Sequence, residues 1–166
     1  MIGRLLICFA VAGLVAVGIP ATAQVELDRI VSRVAGRLIT LSDIRQARTL
    51  KLVDETTSDE ATQRALESRL LILHELSRGS APPPPDREAV AARRAEWTAS
   101  MGSDQAVPAL LAQGGMSDGD LDAWFRDDVR IRAYLRRQFG MLDDAERTEA
   151  MREWLGRLRQ RAELPQ

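Results

Sequence analysis

The chain has 166 residues, of which 45% are hydrophobic and 28% charged, and its formal charge is −1. That balance excludes an intrinsically disordered chain, and the near-neutral charge argues against nucleic acid as the main partner. The single cysteine, Cys8, lies in the first apolar stretch, so the rest of the chain has no disulfide staple, thiol nucleophile or cysteine-ligated zinc.

Arg4, the apolar run Leu5 to Gly18, and Ala21-Thr22-Ala23 after Pro20 have the order of an export signal: a positive start, an apolar core and a small-residue cleavage site. The apolar run falls short of the ~20 residues a spanning helix needs, so cleavage after Ala23 is expected rather than stable membrane insertion. The expected product is a periplasmic protein, residues 24–166, forming one domain. Losing Arg4 makes its charge one unit more negative.

The next apolar segments, Ile30 to Val34 and Arg37 to Thr40, joined at Ala35-Gly36, read as a β-hairpin spanning 29–40. A two-stranded ribbon is marginal in water, so it must lie on the helical remainder of the chain. Thr40 and Asp43 then have capping-box spacing, with Ser42 a competing cap, and Ile44, Ala47, Leu50 and Val53 recur at helical spacing over 42–53. Ser58 opens a second helix, 59–78, whose stripe is Ala65, Leu66, Leu70, Leu73 and Leu76, with Gly79 as its stop.

Ser80-Ala81 and Pro82 to Pro85 exclude helix and form a stiff spacer, though such a run could also serve as a ligand for an aromatic-lined groove. Further helices are expected over 86–101 and 105–113, the second ended by Gly114-Gly115. The helix over 118–139 is the most fully marked. Ser117 caps it, Asp118, Asp120 and Asp122 lie near its start, Arg136 and Arg137 at its end, and Gly140 follows. A last helix covers 143–161, with Met151, Trp154, Leu155 and Leu158 on one side, and Ala162 to Gln166 either fray or pair as a strand. The expected fold class is therefore mainly α, multihelical, with a short N-terminal hairpin.

Catalytic signals are sparse. His74 is the only histidine and has no second ligand of its kind, so it reads as a satisfied or surface residue rather than a metal ligand. The carboxylates Asp118, Asp120, Asp122, Asp127, Asp128, Asp143 and Asp144 are accounted for by helix starts and by arginines three or four residues away. There is no glycine-rich phosphate loop, nucleophile elbow or H-E-x-x-H helix. No cofactor or metal is expected. The arginine excess over the sole lysine, Lys51, reads first as a compositional bias, and second as guanidinium groups able to hold aromatic or acidic client segments.

Three segments in order, "DRIV.RV.GR.ITLSD", "ALESRLLILHEL" and "GMS...L..W.RDDVRIRAYLRRQFG", make the chain resemble the N-terminal domain of SurA-type periplasmic chaperones, over nearly all of residues 24–166. In that family a parvulin isomerase region follows the third segment, before a returning helix completes the core. Here Met141-Leu142 leads almost directly into the last helix. The resemblance implies a non-enzymatic holdase for unfolded outer-membrane β-barrel precursors, and isomerase activity is not carried over. Such a task calls for an adaptable apolar groove, for which Trp97, Met101, Met116, Trp124, Phe125 and Tyr134 are the candidates, although the same residues are also natural core formers. Two other readings stand beside it: a module that docks on a separate isomerase or assembly complex, and a divergent prolyl isomerase. A homodimer formed by exchange of the hairpin is a further expectation.

Overall fold

The structure, a computed structural model, describes residues 28–53, 58–79 and 84–163. The expected export signal, part of the 80–85 spacer and residues 164–166 lie outside the described residues. The chain is mainly helical with a short antiparallel hairpin. Strands β1 (Ile30–Val34) and β2 (Arg37–Thr40) are followed by α1 (Leu41–Thr49), α2 (Asp59–Arg78), α3 (Arg87–Ser100), a 3₁₀ turn (Asp104–Ala106), α4 (Val107–Gly114), α5 (Asp118–Phe139) and α6 (Asp144–Glu163).

The hairpin turns through Ala35 at φ 47° and Gly36 at φ 78°. Two consecutive positive φ values match the right-handed twist of the strands and explain why glycine stands at the second position. Val34 faces Arg37, Arg33 faces Leu38 and Ser32 faces Ile39, and the ladder then slips at Val31 so that Ile30 faces Thr40. Such a bulge bends the strand and is not visible in an apolar alternation. It leaves Val31 packed against the protein and Ile30 57% exposed.

Thr40 ends the strand and caps α1. Asp43 N–H donates to Thr40 Oγ1 at 3.2 Å, and Thr40 N–H donates back to Asp43 Oδ2 at 2.8 Å. Both halves of the capping box are thus made, and Ser42 is inside the helix. Helix α1 is shorter than the expected 42–53. Lys51 takes a left-handed conformation at φ 46°, its N–H donates to Arg48 O, and Leu52 N–H donates to Ala47 O at 2.9 Å. This two-bond reversal stops the helix at Thr49 and turns Leu50 and Leu52 into the core, leaving Val53 beyond the helix. The apolar spacing continued while the backbone turned, which is why periodicity overran.

The other helices start and stop within a residue or two of expectation. Ser58, Asp86 and Ser117 each accept a backbone N–H from the first turn of the helix they precede. Gly115 ends α4 at φ 66°, with Met116 N–H donating to Leu111 O at 3.0 Å. Gly79 and Gly140 follow their helices without left-handed geometry, the first extended and the second still α-like.

Helix α5 is the shared wall of the core. Its first half, through Leu121 and Phe125, packs with Leu50, Leu52, Trp97, Val107 and Leu111. Its second half, through Ile131 and Phe139, packs with Leu71, Ile72 and Leu76 of α2 and Trp154 and Leu158 of α6. A third cluster of Ile39, Ile44, Ala47 and Leu66 seats the hairpin on α1 and α2. The ribbon is stabilised by this seat, as a two-stranded element requires.

Candidate functional site: an open groove between α3 and α4

Helix α3 packs on α5 and helix α4 on α1, and the two leave an open groove of about 940 Å³ between them. The α3 wall is Ala91, Ala95, Thr98 and Ala99, and the α4 wall is Val107, Pro108, Leu111 and Ala112. Met116 also lines it, with Arg94, Asp104 and Asp118 among the polar lining residues. The three alanines stand four residues apart, on one exposed face of α3. Small side chains there keep the helix surface low and nearly uncharged.

Away from the alanines, α3 is fastened to the rest of the fold. Trp97 is buried against Phe125 with ring centroids 5.8 Å apart, and its Nε1–H donates to Leu50 O at 2.7 Å. Arg93 Nε donates to Asp128 Oδ2 at 2.6 Å, and Arg94 Nη1 to Asp122 Oδ1 at 2.5 Å. Arg94 also pairs with Asp118 at the start of α5. The hydrogen bond from Arg94 holds the Asp118 carboxyl below its ordinary value and, with Asp122, raises the arginine. With the folded value depressed, this pairing stabilises the fold above the ordinary carboxylate value of 3.8 and is lost as pH falls through the lower folded value.

The six residues read from sequence as groove candidates are not gathered at one place. Trp97 and Phe125 are core residues, 3% and 1% exposed, and present no surface to a client in this arrangement. Their positions at the α3–α5 contact consume them, because the two rings pack against each other there. Met101 is half-buried against the same cluster. Only Met116 lines the α3–α4 groove. Trp124 is half-buried and lines a separate, smaller cavity beside the hairpin. Tyr134 sits toward the far end of α5, its ring 5.8 Å from that of Trp154. The groove residues that sequence reasoning passed over are the alanines of α3 and Val107, Pro108 and Leu111. The available signal was a helix with one large aromatic residue, Trp97, and alanine every fourth residue on another face.

His74 is half-buried, and its carbonyl accepts from Ser77 Oγ at 2.7 Å. Among the described residues, no group of three or more His, Cys, Asp or Glu is placed to hold a metal ion, and no helix is long and apolar enough to cross a membrane. Compared with known proteins, the chain matches no family model, no curated protein and no solved structure.

Proposed function

We propose that the protein is an exported holdase that keeps unfolded outer-membrane β-barrel precursors soluble in the periplasm, without isomerase activity, on a core like the N-terminal domain of SurA-type chaperones. The observation that carries this reading is the α3–α4 groove, open among the described residues and lined mainly by alanine, valine, leucine, proline and methionine, with Arg94, Asp104 and Asp118 among its polar residues. A surface of that kind takes many apolar segments through non-directional burial, which suits a binder of unrelated chains. The export reading rests on the Arg4 to Ala23 pattern, and the client class on the family resemblance.

The test is suppression of aggregation. A urea-unfolded outer-membrane β-barrel protein is diluted with and without the purified protein, and light scattering is followed. Near-stoichiometric suppression is expected, and it should weaken in Ala95→Glu, which places a charge on the exposed groove wall without touching the core. No suppression by a protein shown to be folded by circular dichroism would reject the holdase reading.

A second reading is a module that docks on a separate isomerase or assembly complex, to which the turn between α5 and α6 would offer Met141, 99% exposed. Co-purification from envelope extracts separates the two, because a holdase retrieves a mixture of precursors and a docking module one stoichiometric partner. Sedimentation over a range of concentrations tests the hairpin-exchanged homodimer, and a constant monomer mass would dismiss it.

A further inference from the structure

The hairpin, α1, α2 and α5 surround a second cavity of about 220 Å³, partly open to solvent. Its apolar wall includes Leu38, Leu66, Leu70, Leu73 and Trp124. Into this wall is set a cation, Arg69, whose side chain is only 11% exposed. The guanidinium carbon lies 3.7 Å from the centre of the Trp124 ring, and Nη2 donates to the Trp124 carbonyl at 2.8 Å.

The charge of Arg69 is poorly balanced. Its nearest carboxylate is Asp128, 3.7 Å from Nη1. That same carboxylate accepts from Arg93 at 2.6 Å and from Arg132 at 2.9 Å, so it serves three guanidinium groups. A second arginine, Arg37, also lines the cavity and forms no ion pair among the described residues. Three acids line it too: Asp127 pairs with Arg130, while Asp43 and Asp120 keep their charge in the first turns of α1 and α5, where the helix dipole offsets part of it. Burial is the main cause, with repulsion from Arg37 adding to it, that pulls Arg69 down to about 10 against the opposing pull of Asp128 and Asp127.

We propose that this cavity binds an apolar carboxylate, with the hydrocarbon or aromatic body against Trp124 and the leucines and the carboxyl group between Arg69 and Arg37. A dry apolar cavity of ~150 Å³ accepts benzene, so the present volume admits a phenyl or branched aliphatic body. The planar fork of an arginine held by stacking is pre-organised for a carboxylate. The ligand is either a free acid or the C-terminal residue of a polypeptide, since both offer the same group. The site shares no lining residue with the α3–α4 groove and stands or falls independently of the holdase reading.

The test is a calorimetric titration of the purified protein with phenylacetate and phenylacetamide, and with a short acetylated peptide ending in phenylalanine as free acid and as amide. Saturable binding of the acids is expected, with the amides about tenfold weaker or more. Arg37→Gln, an exposed substitution, should weaken acid binding several-fold, and Ala123→Leu, which fills the cavity from α5, should abolish it, both with unchanged circular dichroism. Tighter binding of the peptide acid than of phenylacetate identifies a polypeptide C-terminus as the source, and the reverse a small acid. Equal binding of acid and amide, undiminished binding to folded Ala123→Leu, or no saturable binding would each overturn the proposal.

Discussion

A few side chains hold more than their own position. Asp128, 17% exposed at its side chain, joins Arg69 of α2, Arg93 of α3 and Arg132 of its own helix, so one carboxylate ties three helices. Buried charge stabilises only when paired, and removing the shared partner leaves Arg69 and Arg132 without an ion pair among the described residues and Arg93 with Glu96 alone. Asp128→Asn is therefore expected to cost about 3 kcal/mol in urea unfolding, more than a typical surface ion pair contributes. A loss below ~1 kcal/mol would show that solvent reaches the cluster and screens it. In the sequence, Asp128 is legible as an acid four residues before Arg132. Its two long-range partners are not, because they depend on how α2 and α3 cross α5.

At the scale of elements, the capping residues were the most readable part of the chain. Thr40 with Asp43 and Ser117 with Asp120 occupy box spacing, and both boxes form. Local chemistry decides these positions: each satisfies backbone N–H groups a few residues away, whatever the rest of the chain does. The end of α1 was less readable, since Lys51 is not a residue that announces a left-handed turn. Only the burial of Leu50 and Leu52 forces it there. Lys51→Gly should relieve this cost and stabilise the protein by up to about 1 kcal/mol, measured as a higher urea midpoint at unchanged slope. Destabilisation instead would mean that glycine's extra freedom in the unfolded chain outweighs the relieved strain.

For the whole molecule, α5 divides its length between two clusters, and α6 completes the second. Trp154 meets Phe139 edge-on with centroids 5.6 Å apart and also contacts the Tyr134 ring, while Leu158 is buried beside them. The final helix is thus a working part of the core. Trp154→Ala is expected to lower stability by about 3–5 kcal/mol and, if the two clusters unfold together, to shift by the same amount the transition reported by the fluorescence of the remaining Trp97 and Trp124, both at the first cluster. Separate transitions would mean that α5 does not couple the clusters.

Composition, period and caps by themselves determined that the chain is mainly helical, where the helices begin, and that the hairpin needs a seat, because those properties are set by interactions within a few residues. They also marked the large apolar side chains without telling core from surface. That choice belonged to the tertiary structure. Trp97 and Phe125 went inward because α3 crosses α5 at their positions, while the alanines of α3 were left facing a groove because α4 packs on α1 instead. The Arg69 cavity was likewise decided by packing, since its walls come from the hairpin and three helices whose meeting no local pattern encodes.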